Sequence, residues 1–429
     1  MSSTVSESKV TTTASKKSLE TAKLTWPFIK EDFAQGHRHK AEGKPVAWSC
    51  AAVEKELYYA MGIHPFFPEQ FAALCAVRRK SPEAEKEAVR FAKIAEKGGY
   101  SADLCGYQRV VTGYVMNEEL ADAPLGGLPK PDLMVTTSCI CDCRMKWFED
   151  LAQRMNVPLF TLDRPEQNIT SITGVPEDHE VEYYMAQVED CLKFMEDVTG
   201  NKYHPENLRE SINWAYKTNE LRQEILQLRK TIPSPMGCTS GFSTIYPGMY
   251  CSGTKKAHDF YQTLRDEVKN RVENGIGEIE AEKFRLLWYG IPTWYNMGIL
   301  NYFEKFGGVF AYEPNYNPLP WPPRLPEEPI KELALRTLQG GTSIASMINS
   351  LIHDCQVYDI SGVVISYLIT CRPFYLPALE IKRVLEKELR IPCVFIEGDL
   401  VDERLFSEGQ VFTRLDAFAE QLLRKRSAA

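Results

Sequence analysis

The chain has 429 residues, 44% of them hydrophobic, and a net charge of −8. That length allows two or three domains with sizeable cores, and the acidic balance argues against a broad nucleic-acid interface. No apolar run approaches the roughly 20 residues of a membrane span, and the Ser/Thr/Lys-rich opening lacks the apolar middle of a secretory signal. The expectation is a soluble cytoplasmic protein with no nucleic-acid or membrane partner. Its 12 cysteines then read as reduced thiols rather than six disulfides, and Asn168-Ile-Thr170 is not a glycosylation site.

Residues 1–22 read as a disordered tail. An amino-terminal α/β domain is expected over 23–177. Lys44-Pro-Val-Ala-Trp-Ser49 reads as a buried strand, 53–61 as a helix turning Leu57, Tyr58 and Ala60 inward, and 84–97 as an amphipathic helix. Pro131-Asp-Leu-Met-Val135 is a strand, 144–155 a helix and 157–161 another strand. Wholly apolar runs separated by helices point to a doubly wound parallel sheet covered on both faces.

A helical segment follows over 178–245, where Leu208, Ile212, Tyr216, Leu221, Ile225 and Leu228 recur on one helix face. The Pro- and Gly-rich stretch 231–241 ends the long helical run. A second α/β domain is expected over 246–429, with strands at 284–289, 308–312, 362–368 and 391–396. Between them, 314–329 holds seven prolines, suiting a pinned surface loop that could line a pocket.

The cysteines carry the chemistry. Cys105, Cys141 and Cys371 stand beside predicted strands or helix starts, where a fold could gather them at the carboxyl ends of parallel strands. Widely separated cysteines can hold an iron–sulfur cluster, although a single cysteine is more often a small buried hydrophobe. That second reading is kept for Cys50, Cys75, Cys191, Cys238, Cys251, Cys355 and Cys393. Cys139-Ile-Cys141-Asp-Cys143 fits structural zinc poorly, since no C-x-x-C pair occurs. His37 and His39 read as a solvated helix face rather than a metal pair. Gly248–Gly253 has P-loop glycine spacing, but Thr254-Lys255-Lys256 follows where Lys then Ser/Thr is required. Gly275-Ile-Gly-Glu-Ile-Glu280 lacks the last dinucleotide-binding glycine, and no G-x-S-x-G elbow is present.

Several blocks in order resemble the 2-hydroxyacyl-CoA dehydratase and benzoyl-CoA reductase family, from about Pro45 to Leu423. They are the stretch 45–62, Leu104-Cys-Gly-Tyr-Gln-Arg109, 140–149, Tyr289-Gly-Ile-Pro-Thr-Trp294, Thr370-Cys-Arg-Pro-Phe374 and Gly398-Asp-Leu-Val-Asp402, the last leading to Gln410–Arg414. The resemblance implies a 4Fe-4S cluster on three cysteines in the cleft between the α/β domains. Cys105 would be the first ligand and Cys371 the third. Cys141 is chosen as the second for its position before Lys146-Trp147, with Cys139 and Cys143 as neighbouring alternatives.

The resemblance also implies a paralogous smaller iron–sulfur subunit, an ATP-hydrolysing iron–sulfur electron donor and an acyl-CoA substrate. Within the family the expectation is the larger, substrate-side subunit of an ATP-dependent benzoyl-CoA reductase, which reduces the aromatic ring to a cyclic diene. A subunit of an (R)-2-hydroxyacyl-CoA dehydratase is the alternative, and a cluster-bearing accessory or electron-transfer scaffold the second. Trp288, Trp294, Tyr295, Tyr302 and Trp321 suit a planar ring. Glu56 and Glu69 are the expected catalytic carboxyls. Ser49, at the end of the first strand, is placed to bond the thioester oxygen, so Ser49, Trp288 and Trp294 form the expected substrate-binding set.

Overall fold

In Val46-Ala-Trp-Ser49 every residue is buried, as in Leu133–Thr137 and Phe284–Tyr289. A strand with no wet face needs cover on both sides, and parallel sheets flanked by helices supply it. The computed structural model describes residues 15–117, 119–165, 175–339 and 343–427. Asn168 and Thr170 lie outside that set, as do residues 1–14 of the expected tail.

The chain enters through α1 (Glu20–Ala41), so residues 20–22 of that tail are helical, and Leu19 before them is fully buried. Next come β1 (Val46–Ser49), α2 (Lys55–Ala60), β2 (His64–Phe66), α3 (Pro68–Val77), α4 (Glu87–Lys97) and α5 (Gly106–Met116). They lead to β3 (Leu133–Thr137), α6 (Asp142–Met155) and β4 (Leu159–Leu162). The four strands pair in parallel in the order β2-β1-β3-β4.

Two long helices follow, α7 (Asp178–Thr199) and α8 (Pro205–Leu228). Shorter α9 (Cys238–Ser243) and α10 (Ile245–Tyr250) precede α11 (Lys255–Glu273), which packs against α8 and α1.

The second sheet uses β5 (Phe284–Tyr289), β6 (Gly308–Tyr312), β7 (Gly362–Leu368) and β8 (Cys393–Gly398). Its helices are α12 (Pro329–Leu338), α13 (Ile344–Val357), α14 (Arg372–Tyr375), α15 (Ala378–Val384) and α16 (Glu408–Ser427). Its order, β6-β5-β7-β8, is also parallel and repeats the first sheet's winding. In each sheet the strand order reverses between the first and third strands, the place where open α/β sheets bind ligands.

The proline-rich loop after β6 is pinned by α8. Arg222 donates to Tyr316 O (2.6 Å), Gln223 to Pro318 O (2.7 Å) and Tyr216 to Pro322 O (3.1 Å). His37 and His39 on α1 meet the carbonyls of Gly127 and Gly62. No described helix is long and apolar enough to cross a membrane.

Helices α4 and α5 approach closely through Gly113. A Cβ there would lie 1.8 Å from the carbonyl oxygen of Phe91, and backbone cannot swing aside as a flexible side chain can. Gly113→Ala is therefore expected to destabilise the fold by about 1–3 kcal/mol through overpacking. The check is its urea unfolding midpoint, which an unstrained packing would leave unchanged.

Candidate metal centre

Cys105, Cys141 and Cys371 each occupy the residue immediately before a helix: α5, α6 and α14. Cys141 follows β3 by four residues and Cys371 follows β7 by three, so the third strand of each sheet delivers one thiol. At the start of α6, the backbone N–H groups of Cys143 and Arg144 hydrogen-bond to Cys141 and favour its thiolate.

Side-chain contacts tie these helix starts together in pairs. Cys143 on α6 donates its thiol to Gln108 Oε1 on α5 at 2.9 Å. Asp142, next to Cys141, pairs with Arg372, next to Cys371, at 2.6 Å. Thr370 donates to Asp399, whose carboxylate lies against Gly106, next to Cys105.

The turn before Cys141 is strained. Ile140 has φ 73°, a region β-branched residues rarely enter, and Cys141 N bonds back to Cys139 O at 2.9 Å. The turn points Ile140 outward, 60% exposed. It also separates the neighbouring thiols: Cys139 Sγ faces Arg164 at 3.0 Å, whereas Cys143 faces Cys105 and Cys141. Hydrogen bonding with Cys143 is the largest influence on Cys141 and lowers its thiol against the opposing effect of burial. Burial pushes the Cys371 thiol up, and the nearby Cys105 and Cys141 add to the effect.

Among the described residues, no three His, Cys, Asp or Glu side chains converge at the spacing of one bound ion. A cubane makes a different demand, since each cysteine binds a different iron. Soft sulfur donors arriving from three separate helix starts fit that demand.

The other expected site residues fall in several places. Glu69 is buried at the start of α3, where it accepts from Ala51 N at 2.7 Å and pairs with Arg144 at 3.0 Å. Arg144 also donates to Cys139 O, so Glu69 braces the cysteine-bearing turn. Glu56 is paired with Arg336 at 2.8 Å beneath α12. Burial raises its carboxyl, but Arg336 outweighs that and leaves it below the ordinary range, the direction opposite to a poised proton donor. Ser49 is fully buried and accepts from Tyr58 at 2.6 Å.

The aromatic set also separates. Trp288 is enclosed in the second domain's core, edge-on to Phe310, with Nε1 bonded to Gly290 O. Tyr302 stacks on Phe412 and Trp321 packs on Tyr216. Trp294 and Tyr295 line a cavity of about 570 Å³ together with Phe242, Tyr250 and Tyr107. Trp294 Nε1 donates to Tyr107 OH at 2.6 Å, and Tyr107 is two residues from Cys105. The sequence reading did not single out Tyr107 or Arg144, although both lie inside the quoted family blocks.

Two parallel sheets of the same winding, with thiols delivered at their reversal points, define an α/β protein in which Cys105, Cys141, Cys143 and Cys371 are near neighbours. The chain belongs to the family described as 2-hydroxyglutaryl-CoA dehydratase, D-component, whose model matches residues 50–422. It is 26% identical to the (R)-phenyllactyl-CoA dehydratase alpha subunit of Clostridium sporogenes, over 91% of this chain and 92% of that protein. It is 25% identical to the (R)-2-hydroxyisocaproyl-CoA dehydratase alpha subunit of Clostridioides difficile, over 91% and 93%. Identity with a benzoyl-CoA reductase subunit of Thauera aromatica is 29%, over 78% and 80%.

The bracing position of Glu69 has a measurable consequence. Glu69→Ala strands the Arg144 charge and is expected to cost about 3–5 kcal/mol. A lowered melting temperature would report this, whereas lost turnover at unchanged stability would identify a proton-transfer role instead.

Proposed function

We propose that this chain is the substrate-side iron–sulfur subunit of a benzoyl-CoA reductase-type enzyme, with Cys105, Cys141 and Cys371 holding a 4Fe-4S cluster. The observation that supports the reading is the aromatic-walled cavity that Tyr107, two residues from Cys105, joins to the cysteine side. When bound, the cluster would supply low-potential single electrons, with one iron left free of protein thiolate. Burial around it and hydrogen bonds to its sulfurs, such as those Cys143 and Gln108 are positioned to influence, tune that potential.

The chain's own residues would do the rest. Tyr107 and Trp294, locked to each other, would present ring faces to a flat acyl group. Lys17 lines the same cavity and has no ion-pair partner among the described residues. Burial lowers its ammonium from the ordinary value, so an anionic group of coenzyme A entering there would supply the missing counter-charge. Glu56 and Glu69, both ion-paired, serve in this reading as structural carboxylates.

A paralogous smaller iron–sulfur subunit would cover the cysteine face. Ile140, Leu376 and Leu379 are 60%, 65% and 64% exposed and flank Cys141 and Cys371, which suits a permanent apolar contact. An ATP-hydrolysing iron–sulfur donor would deliver the electrons, since this sequence lacks a complete phosphate-binding loop.

A second reading, an (R)-2-hydroxyacyl-CoA dehydratase subunit, is favoured by the fuller coverage of the dehydratase relatives. Reconstitution with the partner subunit and donor separates the two readings. The expected result is ring reduction of benzoyl-CoA faster than water elimination from any (R)-2-hydroxyacyl-CoA. Elimination without ring reduction would assign the dehydratase reaction. Anaerobically prepared protein should hold about four irons and four sulfides per chain, lost on Ala substitution of Cys105, Cys141 or Cys371. Stoichiometric zinc without sulfide would overturn the cluster reading itself.

A further inference from the structure

Three of the sequence blocks, 104–109, 370–374 and 398–402, meet at one buried carboxylate. Asp399 follows β8 and is fully buried. Its Oδ1 accepts from Val401 N at 2.8 Å and Asp402 N at 2.7 Å, closing the Gly398–Asp402 turn. Its Oδ2 accepts from Thr370, the residue before Cys371. The same carboxylate fills the space over Gly106, the residue after Cys105. A Cβ at 106 would lie 2.3 Å from Oδ1 and 2.8 Å from Oδ2.

A second layer holds this arrangement. Arg109 on α5 is almost fully buried, with NH2 3.6 Å from Asp399 and NH1 donating to Asp402 at 2.8 Å and Glu96 at 3.0 Å. Its Nε donates to Leu104 O, the residue before Cys105. Arg404 bridges Asp402 and Glu96 from the outer side. Each of the two cysteines thus has a chain neighbour fixed by Asp399, and they come from different domains, 266 positions apart in numbering (371 − 105).

We propose that Asp399 is a positioning residue: it sets the spacing between Cys105 and Cys371 by bonding Thr370 while seating against Gly106. This rests on the reading of those cysteines as cluster ligands. The spacing depends on the shape of the side chain at position 399 and on its hydrogen bonds to Thr370 and the turn. Asp399→Asn keeps the shape and the carbonyl acceptor for the turn N–H groups, and its amide can donate to the Thr370 oxygen, so that bond is kept with its direction reversed. Asp399→Ala removes the bonds to Thr370 and the turn. Gly106→Ala leaves Asp399 intact but pushes it away.

Two measurements test this on the full chain with its partner subunit. The first is iron retention against a chelator, with the electron paramagnetic resonance spectrum of the reduced cluster. Asp399→Ala and Gly106→Ala are expected to weaken retention about 10- to 100-fold, the range for outer-shell changes at metal sites, and to alter the spectrum. Asp399→Asn should stay near wild type. The second uses metal-free protein: a short bifunctional thiol reagent, with the cross-link mapped by mass spectrometry, reads the Cys105–Cys371 spacing directly. The Ala variants should lose this cross-link and the Asn variant keep it, with circular dichroism confirming that each is folded.

If wild type holds no iron but the cross-link follows this pattern, the cluster reading fails and the spacing role stands. An undiminished cross-link in both Ala variants overturns the proposal. So does a cross-link lost equally in Asp399→Asn, because the carboxylate charge or its second acceptor, rather than shape and a bond to Thr370, would then be responsible.

Discussion

The structure depends on bringing thiols from distant parts of the chain to one cleft without a covalent tie. Parallel sheets make this possible because all their strands end on the same edge. Here both sheets wind in the same order and both third strands run directly into a cysteine-bearing turn. Cys141 and Cys371 therefore occupy equivalent places in two copies of one architecture. Cys105 breaks the equivalence, since it precedes α5 and follows no strand.

The clasp between Cys105 and Cys371 is largely ionic and buried, and the reason lies in geometry more than in stability. Buried ion pairs often contribute little net stability against apolar replacements of equal volume, but they fix direction and distance. Arg109 reaches Leu104 O, Glu96 and Asp402 with separate donors of one planar group. An apolar side chain in that volume would fill the space and leave the Cys105 turn free to shift. By contrast, the Asp142–Arg372 pair linking Cys141 to Cys371 is exposed. It is screened by solvent and holds its turns only weakly.

Much of the sheet structure was legible because apolar runs such as 362–368 carry their own signal. What could not be read were contacts between residues far apart in sequence. Cys139 and Cys141 look alike until Arg164 is seen beside the first of them. Glu69 looks like a free carboxyl until Arg144, 75 positions later, is seen beside it. Trp288 and Trp294 look equally available, yet one lies on a strand facing cover helices and the other beyond the strand end. Helix α5 was missed because Gly106 and Gly113 weaken its local propensity, while the structure needs both for close approach. Helix α1 was obscured by Pro27 and a weakly segregated apolar face.

In the proposed reading, holding the thiols and receiving the acyl group fall to different parts of the chain. Thiol placement depends on strand ends and the contacts among α5, α6 and the β7–α14 turn, of which only α5 reaches the aromatic cavity, through Tyr107. That cavity is lined instead by α3, α9, α10 and the segment after β5, with Tyr107 joining it to the cysteine side. Aromatic walls alone do not separate a benzoyl from a phenyllactyl group, because both present a ring. The distinguishing feature is the hydroxyl that only the second carries, and a site that removes it needs a polar partner at the right depth. Gln70 and Thr25 are polar side chains on the cavity wall, and the Thr25 hydroxyl is buried without a hydrogen-bond partner among the described residues. If this cavity takes the acyl group as proposed, the choice between the two chemistries rests on that polar wall more than on the thiols.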